Sequence, residues 1–419
     1  MMPQTLGLYI HIPFCASKCG YCDFYSCAGQ ERRMKEYQTA LLAHIEESLP
    51  QMRQYFIDTV YIGGGTPSHY GAHFLCEILQ TIKSGGRLLR DAEITVEMNP
   101  DSMSLTDLRM LKKEGVNRIS MGVQSANNSI LQTIGRRHTY AQAFKAYNTA
   151  RQVGFKNISV DLMYGLPNQT KEDWADTLSK IIRWKPDHIS CYGLKLEEGT
   201  PMYQVYHDTP VIPDDDTQAD MYTYASDLLE RFGYTRYEIS NFSRRGFESQ
   251  HNLRYWRLEN YMGFGPGAHS CMDNLRYSYI RDLDGYIRGV LDGGIIVDEY
   301  EQVSGIEIAN EYLMLGMRTT EGIDPVDYTK RFRADFGPLN EKLEFFRTKG
   351  WTTLSEQGRW SFTTSGFLVS NILINELLDV QAAQNAIGVP HILDILENRE
   401  REELPLTDEE MFLQSMRGN

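Results

Sequence analysis

Along the first half of the chain, short runs of apolar residues with strand spacing alternate with longer stretches whose apolar residues recur at helical spacing. The strand-like runs are "LGLYIHI" (6–12), "DTVYIGG" (58–64), "EITVEMN" (93–99), "NRISMGVQ" (117–124), "NISVDLMYG" (157–165) and "DHISCYGL" (187–194). Amphipathic stretches of helical length separate them, among them 32–49, 104–114, 139–153 and 171–184. Strands that alternate with helices predict βαβ units and a parallel sheet. Six in succession predict an α/β fold, a partial (β/α)6 barrel of the TIM type, with its chemistry at the C-terminal ends of the strands.

The pattern changes near residue 303. "GIEIANEYLMLGMRT", "PVDYTKRFRADF" and "NEKLEFFRTKGW" read as three helices, the first with Ile308, Tyr312 and Leu315 on one face. "WTTLSEQGRWSFTT" reads as a hairpin turning at Glu356–Gly358, followed by a helix at "SGFLVSNILINELL". Three helices and a hairpin resemble a winged-helix module, so a small C-terminal winged-helix-like α+β domain is expected. The expected division is a barrel over 1–240, a connecting segment over 241–300, the winged-helix-like domain over 301–380 and a charged tail over 381–419.

Composition narrows the function classes. The chain has 419 residues, and 42 basic against 56 acidic residues give a net charge of −14, which argues against a nucleic-acid binder. No run of about 18 apolar residues is present, so no transmembrane segment is expected. The N-terminus lacks the basic start and apolar core of a signal peptide. Seven cysteines are too sparse for a disulfide scaffold, and a reduced, cytoplasmic protein is expected.

Four of those cysteines fall in "HIPFCASKCGYCDFYSC" (11–27). Zinc would require a second pair of ligands, or His11 folding back as a fourth. Three thiolates on one loop, Cys15, Cys19 and Cys22, suit three corners of a four-iron four-sulfur cluster better, and leave the fourth iron open to a ligand. Other candidates end the strands. "GGGTPS" (63–68) brings backbone N–H groups where a carboxylate could bind, or is simply a tight turn. Glu97, Gln124 and Asp161 are polar groups that need a ligand or a structural partner such as Arg118 or Arg136.

The C-x3-C-x2-C spacing, with Tyr21 before the last cysteine, resembles the signature of the radical S-adenosylmethionine (SAM) superfamily. That resemblance implies a [4Fe-4S] cluster on Cys15, Cys19 and Cys22. It also implies S-adenosylmethionine held by Tyr9, Tyr21, Gly64, Gly65, Thr66, Glu97, Gln124, Arg136 and Asp161. "DLMYGLPNQT", "EEGTP" and "YEISNFSRRGFESQHNLRYWRLENYMGFGPGAHS" resemble the branch that holds oxygen-independent coproporphyrinogen III oxidase and its haem-chaperone relatives. The likeness runs from about residue 6 to 380.

Three features favour the chaperone side. Asp23 and Phe24 follow Cys22 where the oxidase carries a further cysteine. The chain starts eight residues ahead of Tyr9, where the oxidase has an extension. "HNLRYW" (251–256) matches a chaperone motif, H-N-x-x-Y-W. The resemblance then implies haem as ligand, with His251 as axial ligand, Tyr255 and Trp256 packing on the porphyrin, and His269 as the second choice of ligand; the alternative is that His251 hydrogen-bonds in a loop while Tyr255 and Trp256 fill the core. It implies haem-acceptor proteins as partners, and an electron donor if S-adenosylmethionine turns over. The alternative is an oxidative decarboxylase of coproporphyrinogen. Cys27, Cys76 and Cys191 read as packing residues.

Overall fold

The computed structural model describes residues 4–384, so most of the charged tail lies outside the described residues. Six strands run parallel in chain order: β1 (Thr5–Ile12), β2 (Phe56–Gly64), β3 (Leu88–Met98), β4 (Arg118–Gln124), β5 (Asn157–Tyr164) and β6 (His188–Gly193). The helices between them include α1 (Met34–Met52), α2 (Ala72–Gly85), α3 (Leu105–Lys113), α4 (Tyr140–Val153) and α5 (Lys171–Trp184), with α6 (Asp215–Arg231) after β6. Their starts are fixed locally. Ser104 with Asp107, Thr139 with Gln142, and Thr170 with Asp173 each form a reciprocal capping box that satisfies the first free N–H groups of α3, α4 and α5.

Strand periodicity sets what the sheet does. Leu6, Leu8 and Ile10 of β1, Val60 and Ile62 of β2, and Val96, Ile119, Val160 and Ile189 of the next four strands are all fully buried in one core. Leu41 and Ile45 of α1, Leu75 and Leu79 of α2 and Ala146 of α4 belong to the same core. Burying each large aliphatic side chain contributes about 1.5–3 kcal/mol. The alternate residues are polar: Tyr9, Thr59, Tyr61, Glu97, Arg118, Ser120, Asp161, Ser190. Register pairs place them on the opposite face, which lines the interior of the barrel. The interior is therefore hydrogen-bonded rather than filled with aliphatic side chains.

The sheet is larger than six strands. β7 (Thr235–Arg236) and β8 (Asn241–Ser243) extend it beyond β6, with β8 antiparallel to β6. At the other end β9 (Tyr261–Phe264) lies parallel to β1, and β10 (His269–Met272), β11 (Leu275–Tyr279) and β12 (Val297–Gln302) follow antiparallel. Residues 241–300, expected as a connection, thus supply strands to both ends of one twelve-stranded sheet. Between β8 and β9 runs α7 (Gln250–Trp256), which carries the HNLRYW motif. It docks on the starts of the first strands, where Arg254 pairs with Asp58 and reaches Thr5. This helix plugs the N-terminal mouth of the barrel, at the end opposite the cysteine loop.

After α8 (Leu283–Asp292), which packs on α1, come α9 (Gly305–Gly316), α10 (Pro325–Phe332) and α11 (Gly337–Thr348). The hairpin of β13 (Thr352–Leu354) and β14 (Trp360–Phe362) follows, then a helix over 370–384. A second core joins them through Leu313, Tyr328, Leu343, Phe346 and Trp360, with Tyr222 of α6. The buried residues of α9 are Ala309 and Leu313, while Ile308, Tyr312 and Leu315 are half-buried. The shift of one position arises because α9 is covered on two sides, Tyr312 facing Tyr328 and Phe332 while Leu315 faces the barrel seam.

Candidate functional site

The cysteine loop leaves the C-terminal end of β1 and is held by the "GGGT" turn that ends β2. Gly65 N donates to Ile12 O (2.8 Å) and Thr66 N to Phe14 O (2.8 Å). A Cβ on Gly65 would stand 2.8 Å from Phe14 O and 3.1 Å from Cys15 Sγ, so only glycine allows this approach. Phe14 is buried between Tyr70, stacked at 5.4 Å, and the edge of Tyr37 at 5.4 Å. The glycine turn's N–H groups were expected to face a carboxylate, or to be those of a tight turn. Gly64 N is bonded to Glu97 Oε2 (3.2 Å), and the next two hold the cysteine loop. The turn is a cradle for the loop.

Donors converge on the sulfurs. The Thr66 hydroxyl donates to Cys15 Sγ (3.4 Å), and Arg136 Nη1 to Cys19 Sγ (3.7 Å). Burial raises the Cys15 and Cys22 thiols above their usual range. Hydroxyl and guanidinium donors aimed at sulfur, on thiols close enough to repel one another's charge, form a donor set that fits an iron–sulfur cluster. Among the described residues, no three His, Cys, Asp or Glu side chains converge as for a single metal ion. Cys27 turns away, with Sγ near the Tyr25 phenol, and Cys76 and Cys191 are buried in α2 and β6.

The strand-end residues divide into two groups. Arg136 spans the loop and the barrel, donating to Asn99 Oδ1 (2.7 Å) and to the Gly122 carbonyl. With Cys19, Thr66, Asn99, Ser102 and His138 it lines a polar cavity of about 280 Å³ beside the cysteine loop. Asn99 and His138 were missed by the sequence reading, although "VEMNP" places Asn99 two residues past Glu97.

The second group stands in the interior. Glu97 accepts from the Tyr61 phenol (2.7 Å), and burial pushes its pKa up to about 7. Asp161 accepts from the hydroxyls of Ser120 (2.9 Å), Ser159 (3.1 Å) and Ser190 (2.7 Å). Among the described residues neither carboxylate pairs with Arg118 or Arg136, the partners considered from the sequence. Arg118, buried among them, leaves Nε and Nη1 without partners. The Tyr9 phenol is bonded to His11 Nδ1 (3.0 Å). Gln124 holds φ at 66°, the left-handed region that a residue with a Cβ rarely adopts and that clusters at functional sites. Tyr21 packs on Ile130, Leu131 and Met202 beside the loop.

His251 is placed otherwise than expected. Its Nδ1 is bonded to Thr59 Oγ1 (2.9 Å) and its Nε2 to the Tyr255 phenol (2.7 Å), so neither nitrogen is free. The ring is 1% exposed, stacks on Tyr61 at 5.2 Å, and burial lowers its pKa to about 3. The cause is the docking of α7 into the barrel mouth, which leaves an inward imidazole only protein partners. His269 is exposed at the start of β10. Other parts of the motif do open outward. Asn252, Tyr255 and Trp256 line a cavity of about 520 Å³ at the seam where β6 and β8 face β9 and β10, with Tyr192, Glu238, Tyr261, Cys271, Arg276 and Leu315.

The barrel and the cysteine loop at its strand ends define a radical SAM protein: the model of the Radical SAM superfamily matches residues 9–181, and that of the HemN C-terminal domain matches 303–369. The chain is 34% identical over 376 residues to the Heme chaperone HemW of Bacillus subtilis, spanning 88% of this chain and 98% of that protein. It is 34% identical to the mitochondrial Radical S-adenosyl methionine domain-containing protein 1 of Bos taurus, over 85% of this chain and 81% of that one. Among solved structures, the fold matches coproporphyrinogen III oxidase (HemN) from Escherichia coli with a TM-score of 0.79, 22% identity and 90% coverage of both chains. The chain belongs to the HemW family.

Proposed function

We propose that this protein is a haem chaperone, which binds haem at the barrel seam and releases it to acceptor proteins. The observation that carries this reading is the cavity of about 520 Å³ walled by Tyr192, Tyr255, Trp256 and Tyr261, in a chain that matches a haem chaperone over 98% of that relative's length. A flat, largely apolar macrocycle suits such a wall.

At the opposite mouth, Cys15, Cys19 and Cys22 would hold a [4Fe-4S] cluster, with Thr66 and Arg136 donating to the sulfurs of Cys15 and Cys19. When bound, the cluster would supply the metal coordination and redox chemistry toward S-adenosylmethionine. The chain's own contribution would be orientation: the polar cavity beside Arg136 and His138 takes the cofactor, and Glu97 with Gln124 faces it from the strand ends. Tyr9 and Asp161 support that wall through His11 and the three serines. An electron donor is required only if the cofactor turns over. The four cysteines outside the cluster site make no disulfide, and among the described residues no helix is long and apolar enough to cross a membrane.

The oxidative decarboxylase reading draws on a likeness that speaks to the fold alone. The test is haem transfer. The purified protein, loaded with haem, should lose it to an apo-globin in stoichiometric amount, followed by the globin's Soret band. Haem that neither binds nor leaves would overturn the proposal.

A further inference from the structure

We infer that Cys271 is the axial ligand of the haem iron in the seam cavity. This rests on the haem-carrier reading and deepens it by naming the ligand. Cys271 lies in β10, opposite Tyr261 of β9 and Arg276 of β11. Residues opposite in register share a face, so its thiol points to the same side as Tyr261, into the cavity whose wall it helps form. Among the described residues, Cys271 carries the only soft metal donor in that wall. The imidazole expected in this role, His251, has both nitrogens engaged below the cavity floor by Thr59 and Tyr255.

A second, independent observation points to a ligand here. Glu238 is 1% exposed and lines the cavity, yet its Oε1 has no hydrogen-bond partner; Oδ1 of Asn241, 4% exposed on the same wall, has none either. Buried polar atoms without partners are costly unless something completes them. Burial raises the Glu238 carboxyl to about 7, so near neutral pH it can carry the proton that donates to a haem propionate. Arg276, held by Glu311 (2.8 Å), stands opposite the thiol in register.

Binding needs no oxidant or reductant. As ferric haem enters, a sulfur–iron bond forms in place of an iron–water bond, the thiol proton leaves to solvent through the cavity mouth, and the iron stays ferric. Thiolate is an established haem donor with a distinct spectroscopic signature.

The test uses the full chain loaded with ferric haem. The wild type should show a thiolate-type low-spin EPR signal and, after reduction under carbon monoxide, the red-shifted Soret band of thiolate ligation. Cys271→Ser should lose both and weaken haem binding about tenfold, while Cys76→Ser should change neither. A measurement that does not depend on a variant's folding is alkylation mapped by mass spectrometry. Haem should protect Cys271 from iodoacetamide and leave the partly exposed Cys27 as reactive as before. If Cys271→Ser keeps the wild-type spectrum, or haem leaves Cys271 as reactive as before, the ligand assignment is overturned while the haem-carrier reading stands. If the wild type binds no haem, both fall.

Discussion

Replacing His251 by Ala should destabilise the haem-free protein, because the imidazole is a structural bridge before it is anything else. The substitution leaves Thr59 Oγ1 and the Tyr255 phenol without the partner that each now has at 2.9 Å and 2.7 Å. An orphaned buried polar group costs about 1–3 kcal/mol, so two cost about 2–6 kcal/mol near pH 7. The assay is urea unfolding of the apo protein, wild type against variant. Its pH dependence supplies a second check. His251 has a folded pKa of about 3 against an ordinary value of 6.5. Between those values the unfolded chain takes up a proton that the folded chain refuses, so the wild type loses stability as the pH falls. The variant has no such group, and the difference between the two proteins should narrow by about 1.4 kcal/mol per pH unit below 6.5. A cost below about 0.5 kcal/mol at pH 7, the range of a surface substitution, would refute the buried-bridge account and return His251 to the list of open ligands.

Replacing Cys15, Cys19 or Cys22 by Ala should abolish iron loading in anaerobic reconstitution, whereas Cys27→Ala, Cys76→Ala and Cys271→Ala should load as the wild type does; iron and sulfide analysis reads the difference. Gly65→Ala should leave the fold intact by circular dichroism but lower iron loading, since its Cβ would push on Phe14 O and Cys15 Sγ. Glu97→Gln should weaken S-adenosylmethionine binding by calorimetry without removing iron, because Glu97 meets Tyr61 and Gly64 rather than a sulfur.

The six parallel strands were legible because each alternates aliphatic and polar residues, and the aliphatic set must be covered by the helices between. The strands at the sheet ends were not. Val297–Gln302 is exposed at every position and reads "VDEYEQ", so no apolar period marks it, and Thr235–Arg236 is too short to show one. The start of β3 was placed at residue 93 rather than Leu88 for the same reason, since "LLRDA" leaves the core. At the site, the three cysteines and the glycine turn were legible from spacing. The link from Arg136 to Cys19 spans 117 residues of chain and exists only after folding. The engagement of both nitrogens of His251 follows from where α7 docks, which a six-residue motif does not encode. Cys271 carried no motif; its only signal was a thiol in a strand between Tyr261 and Arg276.

Haem delivery and porphyrinogen oxidation predict opposite results in one anaerobic experiment. The cluster-reconstituted protein, with S-adenosylmethionine and a reductant, is given haem in one vessel and coproporphyrinogen in another, and products are resolved by chromatography. The haem-chaperone account predicts one haem bound per chain and coproporphyrinogen recovered unchanged. Conversion of coproporphyrinogen with loss of its propionate carboxyls, by a protein that retains no haem, would contradict it.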